Sequence, residues 1–215
     1  MSHAKNPVII GLCGRSGSGK SFVSKLFSAE GIPSVDTDAV YREMTAAPVC
    51  GELSECMAEL TGEFGTVILC EDMSLNRRAL ADIVFSEDGK DRLKKLNGIT
   101  HRHILRETDR RISELGECGF WAVIVDAPLL FESGYHEKCD YIVAATAPDD
   151  VLIGRITRRD VIDVDAAARR LKVQLSDSEL RSRADFVIDT DTDEETLRLR
   201  VREISGKIMS QVKGC

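Results

Sequence analysis

Eight consecutive residues near the N-terminus combine the residue types that bind a polyphosphate. Residues 14–21 read GRSGSGKS and fit the pattern G-x-x-x-x-G-K-[ST] at every fixed position. An apolar run over residues 8–13 precedes them. The residues that follow place four apolar side chains on one helical face: Phe22, Val23, Leu26 and Phe27. This context of strand, loop and helix predicts a phosphate-binding loop rather than a glycine-rich turn.

The loop residues suggest how a polyphosphate would be held. Its glycines allow a tight turn that points successive N–H groups inward, and the N-terminus of the next helix adds positive dipole at the same place. We expect Lys20 to reach the β- and γ-phosphates and the Ser21 hydroxyl to bind Mg²⁺. The nucleotide-binding residues predicted in this way are Gly14, Arg15, Ser16, Gly17, Ser18, Gly19, Lys20 and Ser21.

Carboxylates follow two apolar runs. Residues 120–128 form a Walker-B-like strand that closes with Asp126, which we expect to hold Mg²⁺ at the carboxyl end of a sheet. Asp36 and Asp38 end a shorter strand and would share one side of it if the extended conformation continued. Asp38 could be the general base for an attacking hydroxyl, or it could cap a helix that begins at Ala39. The residues alone leave both interpretations of Asp38 open, and Asp36 is predicted to be structural.

An arginine-rich stretch, residues 149–183, follows a later strand. Arg155 and Arg159 are four residues apart, so on a helix they could clamp phosphate oxygens side by side. The alternative is a solvated face paired with Asp160 and Asp163, which is the commoner situation for an isolated arginine pair. A small anionic ligand explains this local basic surplus better than a nucleic acid does, because the whole chain carries a net charge of −7.

The composition favours one α/β domain. The 215 residues are 43% hydrophobic but only 5% aromatic, which is typical of strands covered by helices. No apolar stretch has transmembrane length and no signal peptide is present, so we expect a cytoplasmic protein without membrane contact. The cysteines lack a C-x-x-C pair and are predicted to be reduced, mostly buried and not zinc-binding: Cys13, Cys50, Cys56, Cys70, Cys118, Cys139 and Cys215.

The remaining pattern predicts a helical insertion and a C-terminal half of alternating elements. Residues about 39–118 are helix-patterned, with segments at 40–44, 50–60, 77–85 and about 88–115. Further strands are predicted at 140–145 and 185–189, and a final amphipathic helix is predicted at about 194–212.

A series of motifs resembles the dephospho-coenzyme A kinase family over nearly the whole chain. They are GLCGRSGSGKS at 11–21, VDTD at 35–38, LNRRAL at 75–80, DAPLLFE at 126–132, RITRRD at 155–160, RLKVQ at 170–174 and ADFVID at 184–189. The phosphate-binding loop alone indicates only a nucleotide kinase, whereas PLLFE together with the two-aspartate motif narrows the resemblance to this family.

The resemblance implies a three-layer P-loop kinase fold with a five-stranded parallel sheet. Residues 1–215 would then form one domain, with a substrate-binding insertion at about 39–118 and a mobile lid at about 149–183. ATP and Mg²⁺ would be used to phosphorylate the ribose 3′-hydroxyl of dephospho-coenzyme A, with no nucleic-acid partner and with a monomer or weak homo-oligomer as the active form.

The resemblance also carries roles to individual residues. Asp38 falls on the family's catalytic base, and Lys20, Arg155 and Arg159 would act on the phosphates. The residues matched to the substrate site are Asp38, Arg77, His101, Pro128, Leu129, Leu130 and Glu132. The predicted metal ligands remain Ser21 and Asp126.

The chain departs from the family pattern at several positions. Arg15 and Ser16 stand where a Gly-Ile pair is usual, Arg102 replaces a proline, and Thr190 replaces an asparagine that follows ADFVID. The last change bears on the adenine side of the site. Another small-molecule P-loop kinase is the competing hypothesis, whereas a GTPase-like switch is disfavoured because the sequence has no N-K-x-D motif.

Overall fold

The computed structural model describes residues 6–86 and 89–213, which divide into two units. The first unit contains the described residues up to Asp36 and those from Arg111 onward, and the second is Thr37–Arg110. The helix start expected near Asp88 and the terminal Cys215 lie outside the described residues.

A five-stranded sheet, parallel throughout, forms the centre of the first unit. Its strands are β1 (Val8–Cys13), β2 (Ser34–Asp36), β3 (Ala122–Asp126), β4 (Tyr141–Thr146) and β5 (Phe186–Asp189). Their order is β2-β3-β1-β4-β5, and all neighbours run in the same direction. Leu12 of β1 is in register with Asp126 of β3. The carboxyl ends of these two central strands therefore lie side by side, and the predicted α/β fold with a five-stranded parallel sheet is confirmed.

The strands alternate with helices. In the described part of the chain these are α1 (Lys20–Ala29), α2 (Thr37–Met44), α3 (Glu55–Phe64), α4 (Arg77–Val84), α5 (Gly89–Glu117), α6 (Asp149–Asp160), α7 (Val164–Lys172), α8 (Asp177–Arg183) and α9 (Glu194–Lys213). Short 3₁₀ helices span Thr66–Ile68 and Tyr135–Lys138.

The main core lies between the sheet and helices α1 and α9. Alternate residues of β1 and β3, such as Leu12 and Ile124, pack with Phe27 of α1 and Val201 of α9. Val123 points to the opposite face of the sheet, as the two-residue period of a strand requires, and it too has no exposed surface. Burial on both faces explains why these strands read as continuous apolar runs rather than as alternating ones.

The second unit has a helical core of its own. Side chains from α3, α4 and α5 pack around Ile68 and Leu60, which are fully buried. A charged group on α3 and α5 accompanies this core: Glu59 accepts hydrogen bonds from Arg102 and lies 2.8 Å from Nε2 of His103. The bonds from Arg102 and then from His103 lower the pKa of Glu59 to about 2, so it is ionised at neutral pH.

Two expected boundaries are wrong for local reasons. β2 ends at Asp36 and α2 begins at Thr37, so Asp38 neither continues the strand nor caps a helix that begins at Ala39. It lies in the first turn of α2, where a carboxylate is stabilised by the helix dipole. The helix expected from residue 50 begins at Glu55, because Ser54 accepts a hydrogen bond from the Met57 amide and caps it there.

Two expectations about burial also need correction. Phe22 was expected on one helical face with Val23, Leu26 and Phe27; these three are buried, whereas Phe22 is 37% exposed. The cysteines are not mostly buried. Cys13 and Cys56 are buried, whereas Cys50, Cys70 and Cys118 are exposed. Cys50 and Cys70 lie in loops, and Cys118 directly follows the end of α5.

The residue after α6 holds an unfavourable backbone conformation. Val161 has a φ of 54° and a side chain that is 90% exposed. A β-branched residue in the left-handed region is strained, and glycine is not. We expect Val161→Gly to raise the free energy of unfolding by about 0.5–1 kcal/mol, after the entropic cost of glycine is subtracted. Urea unfolding of the variant beside the wild type measures this, and a lower midpoint would contradict the assignment of strain.

Candidate active site

The loop of residues 14–19 joins β1 to the N-terminus of α1. Gly17 and Gly19 have φ angles of 79° and 76°, and the Ser18 amide donates to Arg15 O at 3.0 Å. A Cβ atom on Gly14 would lie 2.5 Å from Ser18 Oγ and 2.6 Å from Ala145 O, so no side chain fits there. The result is a tight loop directly before a helix N-terminus, which is the geometry of an anion-binding site.

Lys20 and Asp126 form an ion pair beside this loop. Lys20 is the first residue of α1 and its Nζ contacts Asp126 Oδ1, while Asp126 ends β3. Only 14% of the lysine side chain and 8% of the aspartate side chain are exposed. Each charge offsets the cost of removing the other from water. The structure therefore places the predicted phosphate-binding amine and the predicted metal-binding carboxylate in one small region.

The oxygen atoms available here fit Mg²⁺ better than a transition metal. Ser21 directly follows Lys20 in the first turn of α1, so its hydroxyl is one residue away from the amine that contacts Asp126. Within residues 6–86 and 89–213, no group of three or more His, Cys, Asp or Glu residues could hold a metal ion. Magnesium is commonly bound by one or two protein oxygens together with phosphates and waters. A hydroxyl and a carboxylate match that donor set.

Both arginines singled out on α6 reach the loop. Arg155 Nη1 donates to Gly17 O at 3.2 Å, and Arg159 Nη2 donates to Ser16 Oγ at 3.1 Å. Arg159 also pairs with Asp160, whose pKa is lowered to about 2 by the hydrogen bonds from Arg159 and then Arg170. Asp160 therefore stays ionised at neutral pH and fixes the guanidinium from one side. The solvated-face alternative describes part of Arg159, whose side chain is 58% exposed, but not Arg155.

Thr190 has a structural role that the sequence did not reveal. It is 4% exposed and accepts from Arg155 Nη1 at 2.9 Å, and its carbonyl accepts from Arg155 Nη2 at 2.8 Å. Its hydroxyl lies 2.7 Å from Ser18 O. Thr190 thus connects the start of the loop after β5 with α6 and with the phosphate-binding loop. The only signal in the sequence was its replacement of asparagine, which did not predict these contacts.

A cavity of about 220 Å³ opens on the other side of the loop. Of the residues matched to the substrate cleft, it is lined by Pro128, Leu129 and Glu132. Leu130 is fully buried and packs beside Gly11, so its side chain has no exposed surface to offer a ligand. Phe131, which the sequence did not single out, lines the cavity instead. These residues form an apolar and acidic wall directly after β3.

The other matched residues belong to the second unit. Asp38 is exposed in the first turn of α2, and Arg77 is the exposed first residue of α4, after the capping Asn76. His101 is half-buried within α5. Its neighbour His103, by contrast, is buried and bound to Glu59 rather than exposed for a ligand. Each of the three matched residues thus retains some exposed surface within its own unit.

The sequence profile of the dephospho-CoA kinase family matches residues 8–195. The chain belongs to this family. Dephospho-CoA kinases catalyse the last step of coenzyme A synthesis, the ATP-dependent phosphorylation of the 3′-hydroxyl of dephospho-CoA. The chain is therefore a kinase that uses ATP and acts on a small molecule.

One sequence relative supports this assignment, and two solved structures share the fold. A dephospho-CoA kinase from Corynebacterium efficiens is 35% identical over 204 residues, which cover 95% of this chain and 98% of the relative. A solved structure of a protein from Thermus thermophilus superimposes with a TM-score of 0.77 at 29% identity and covers 94% of this chain and 97% of its own. A dephospho-CoA kinase from Campylobacter jejuni, at 24% identity and a TM-score of 0.68, covers 93% of this chain and 96% of its own and shares the fold.

None of the described helices is both long enough and apolar enough to cross a bilayer.

Proposed function

We propose that residues 14–21, Asp126 and the arginines of α6 carry out phosphoryl transfer from ATP to the 3′-hydroxyl of dephospho-CoA. The observation that carries this proposal is the contact between Lys20 and Asp126 at the adjoining ends of β1 and β3. It gathers the cation and the carboxylate that phosphoryl transfer needs at the entrance of one anion-binding loop.

The loop would hold the triphosphate by its backbone. Loop N–H groups other than that of Ser18, which is bonded to Arg15 O, and the N-terminus of α1 would supply fixed dipoles, so little reorganisation is needed as charge moves during transfer. Lys20 would exchange its contact with Asp126 for the β- and γ-phosphate oxygens. The exchange keeps a negative partner within reach of the amine throughout.

Mg²⁺ would be held by the Ser21 hydroxyl and by Asp126, directly or through water. When bound, the ion would supply positive charge that neutralises the phosphates. Asp126 would take up this role as Lys20 turns to the nucleotide. Both residues lie on rigid elements, a helix N-terminus and a strand end, which favours precise placement.

Asp38 is proposed as the general base that accepts the proton of the 3′-hydroxyl. Its carboxylate follows β2 by two residues and lies in the first turn of a helix, so its backbone is fixed. The acceptor would be bound by the wall after β3, including Pro128, Leu129 and Glu132. Arg77 and His101 of the second unit are proposed to bind the remainder of this substrate, with Leu130 supporting the wall from the core.

Within one domain of residues 1–215, we propose different functions for the two units. We propose that Thr37–Arg110 is the substrate-binding insertion, slightly shorter than the 39–118 expected from the pattern, because the last turns of α5 belong to the first unit. Residues 149–183, which comprise α6, α7 and α8, are proposed to be the lid. A lid keeps water away from the γ-phosphate and so prevents hydrolysis of ATP.

We also propose a cellular location and an oligomeric state. We expect the chain to act in the cytoplasm as a monomer or weak homo-oligomer, because both substrates are small diffusible molecules. Its net charge of −7 disfavours nucleic-acid binding.

Arg159→Ala is expected to lower the turnover number by about 10-fold to 100-fold and to change the affinity for ATP by less. Arg159 lies beside Ser16 on an exposed part of α6, so it would act mainly on charge that develops in the closed state. Steady-state kinetics with varied ATP separates the two quantities. An effect confined to affinity would remove Arg159 from catalysis.

An acceptor panel tests the proposed function. Purified protein is incubated with ATP, Mg²⁺ and one of three acceptors: dephospho-CoA, a nucleoside or a sugar. We expect ADP release to be stimulated by dephospho-CoA, and to stop when EDTA is present in excess over Mg²⁺. Stronger stimulation by a nucleoside or a sugar would favour another small-molecule kinase activity.

A further inference from the structure

The side chain of Arg15 is largely withdrawn from solvent, although its position in the loop carries no sequence requirement. The general motif leaves residue 15 open, yet only 9% of this side chain is exposed. Removing a guanidinium from water is costly unless other groups compensate. The groups around Arg15 therefore indicate what its side chain does.

Two helices of the segment 149–183 provide those groups. Arg15 Nη1 lies 2.5 Å from Asp149 Oδ1 at the first turn of α6, and Arg15 Nη2 donates to Leu171 O, near the end of α7, at 3.4 Å. Asp149 and Leu171 are more than 130 residues from the loop in sequence. One side chain thus bridges the phosphate-binding loop to the beginning of one helix and the end of the next.

Ser16 extends the same connection. Its amide donates to Gln174 Oε1 at 3.0 Å, and its hydroxyl accepts from Arg159 Nη2 at 3.1 Å. The segment between Asp149 and Gln174 therefore bonds to the loop near its start through Asp149, near its middle through Arg159 and at its end through Gln174. Arg159, proposed above to act on the phosphates, is one of these residues.

We propose that Arg15 is a positioning residue that holds the helices of the lid against the phosphate-binding loop before ATP binds. This inference rests on the proposed function of residues 149–183 as the lid. A lid that is already in place needs less of the binding energy of ATP to close, so the apparent affinity for ATP is higher. A loop with glycine at position 15 would keep the bonds of Ser16 but would lack the bridge to Asp149 and Leu171.

The proposal makes separate demands on affinity and turnover. Arg15→Gly should raise KM for ATP on the order of 5-fold, the scale of one partly exposed ion pair, while the turnover number at saturating ATP changes less. Without ATP, backbone hydrogen exchange of residues 161–175 should become several-fold faster. The core strands should exchange as in the wild type, since the hydrogen bonds of Arg15 go to Asp149 and Leu171, which are not members of the main core.

Partner and control variants identify the contact. Asp149→Asn should reproduce both effects, and the double variant should be no worse than Arg15→Gly alone, because both changes remove the same interaction. Arg15→Lys keeps the charge but cannot bond to both partners. Its KM for ATP and its exchange rates should therefore lie between those of the wild type and of Arg15→Gly. Arg158→Ala removes a lid arginine that donates to Gly154 O within α6. It should leave both KM for ATP and the hydrogen exchange of residues 161–175 unchanged.

Measurements of KM for ATP and of backbone hydrogen exchange together test the role of Arg15. Unchanged KM with unchanged exchange in Arg15→Gly would overturn the proposal, as would additive effects in the double variant. If the wild type made no coenzyme A, the proposed function would fail, whereas the exchange experiment needs no substrate and would still test the bridge. Faster exchange of the core strands would also contradict the proposal, because it would indicate general destabilisation.

Discussion

Lys20→Ala is expected to lower the turnover number on the order of 10³-fold, because it removes a preorganised cation from the phosphates undergoing transfer. It also removes the amine that contacts Asp126, so we expect a lower melting temperature for the nucleotide-free protein. The main core, built from β1, β3, α1 and α9, is untouched. Folded protein with little activity is therefore the predicted outcome, measured by coenzyme A formation and by circular dichroism.

A neighbouring lysine supplies the control for this experiment. Lys25 lies on the exposed side of the same helix α1, and Lys25→Ala removes one positive charge from it without touching the loop. It should retain wild-type turnover. If Lys20→Ala were as active as Lys25→Ala, the assignment of residues 14–21 as the site of phosphoryl transfer would be wrong.

Asp38→Asn should lower turnover on the order of 10²-fold or more, with ATP affinity nearly unchanged, because the variant keeps the size of the side chain but loses the proton acceptor. The helix-dipole effect at this position has a separate signature. Loss of a carboxylate from the first turn of α2 should lower the free energy of unfolding by only about 0.3–1 kcal/mol. Turnover, ATP affinity and melting temperature, measured on one variant, distinguish catalysis from stability.

Two further variants complete the test of Asp38. Glu195→Gln removes a first-turn carboxylate from α9 and calibrates the dipole effect without a change in turnover. Asp36→Asn asks whether the residue that ends β2, opposite Asp126 in the sheet register, has the role instead. Normal turnover in Asp38→Asn together with a large loss in Asp36→Asn would transfer the base to Asp36.

The strands were predictable because burial on both faces leaves an unmistakable pattern. Apolar runs such as residues 122–125 are typical of strands with helices on both sides of the sheet, and glycines at 17 and 19 accompany the turn that they permit. The bounds of short helices and strands were harder to predict. One capping hydroxyl, Ser54, moves the start of α3 by several residues, and the extended pattern of Val35 and Asp36 gives no sign that α2 begins at Thr37.

In the site, the motif residues were predictable but their contacts with distant residues were not. The spacing of residues 14–21 identifies Lys20, and the end of an apolar strand identifies Asp126. Nothing in the sequence shows that Arg15 reaches Asp149 or that Thr190 reaches Arg155, because each pair is brought together only by the packed fold. Periodicity likewise could not show that Leu130 is fully buried beside Gly11.

The central claim is that this chain transfers a phosphoryl group from ATP to the 3′-hydroxyl of dephospho-CoA. The most direct measurement incubates the protein with ATP, Mg²⁺ and dephospho-CoA, identifies the product by mass and locates its new phosphate by nuclear magnetic resonance. We predict coenzyme A phosphorylated at the 3′ position, formed by the wild type and not detectably by Lys20→Ala. Unchanged dephospho-CoA, or a phosphate on another hydroxyl, would contradict the account.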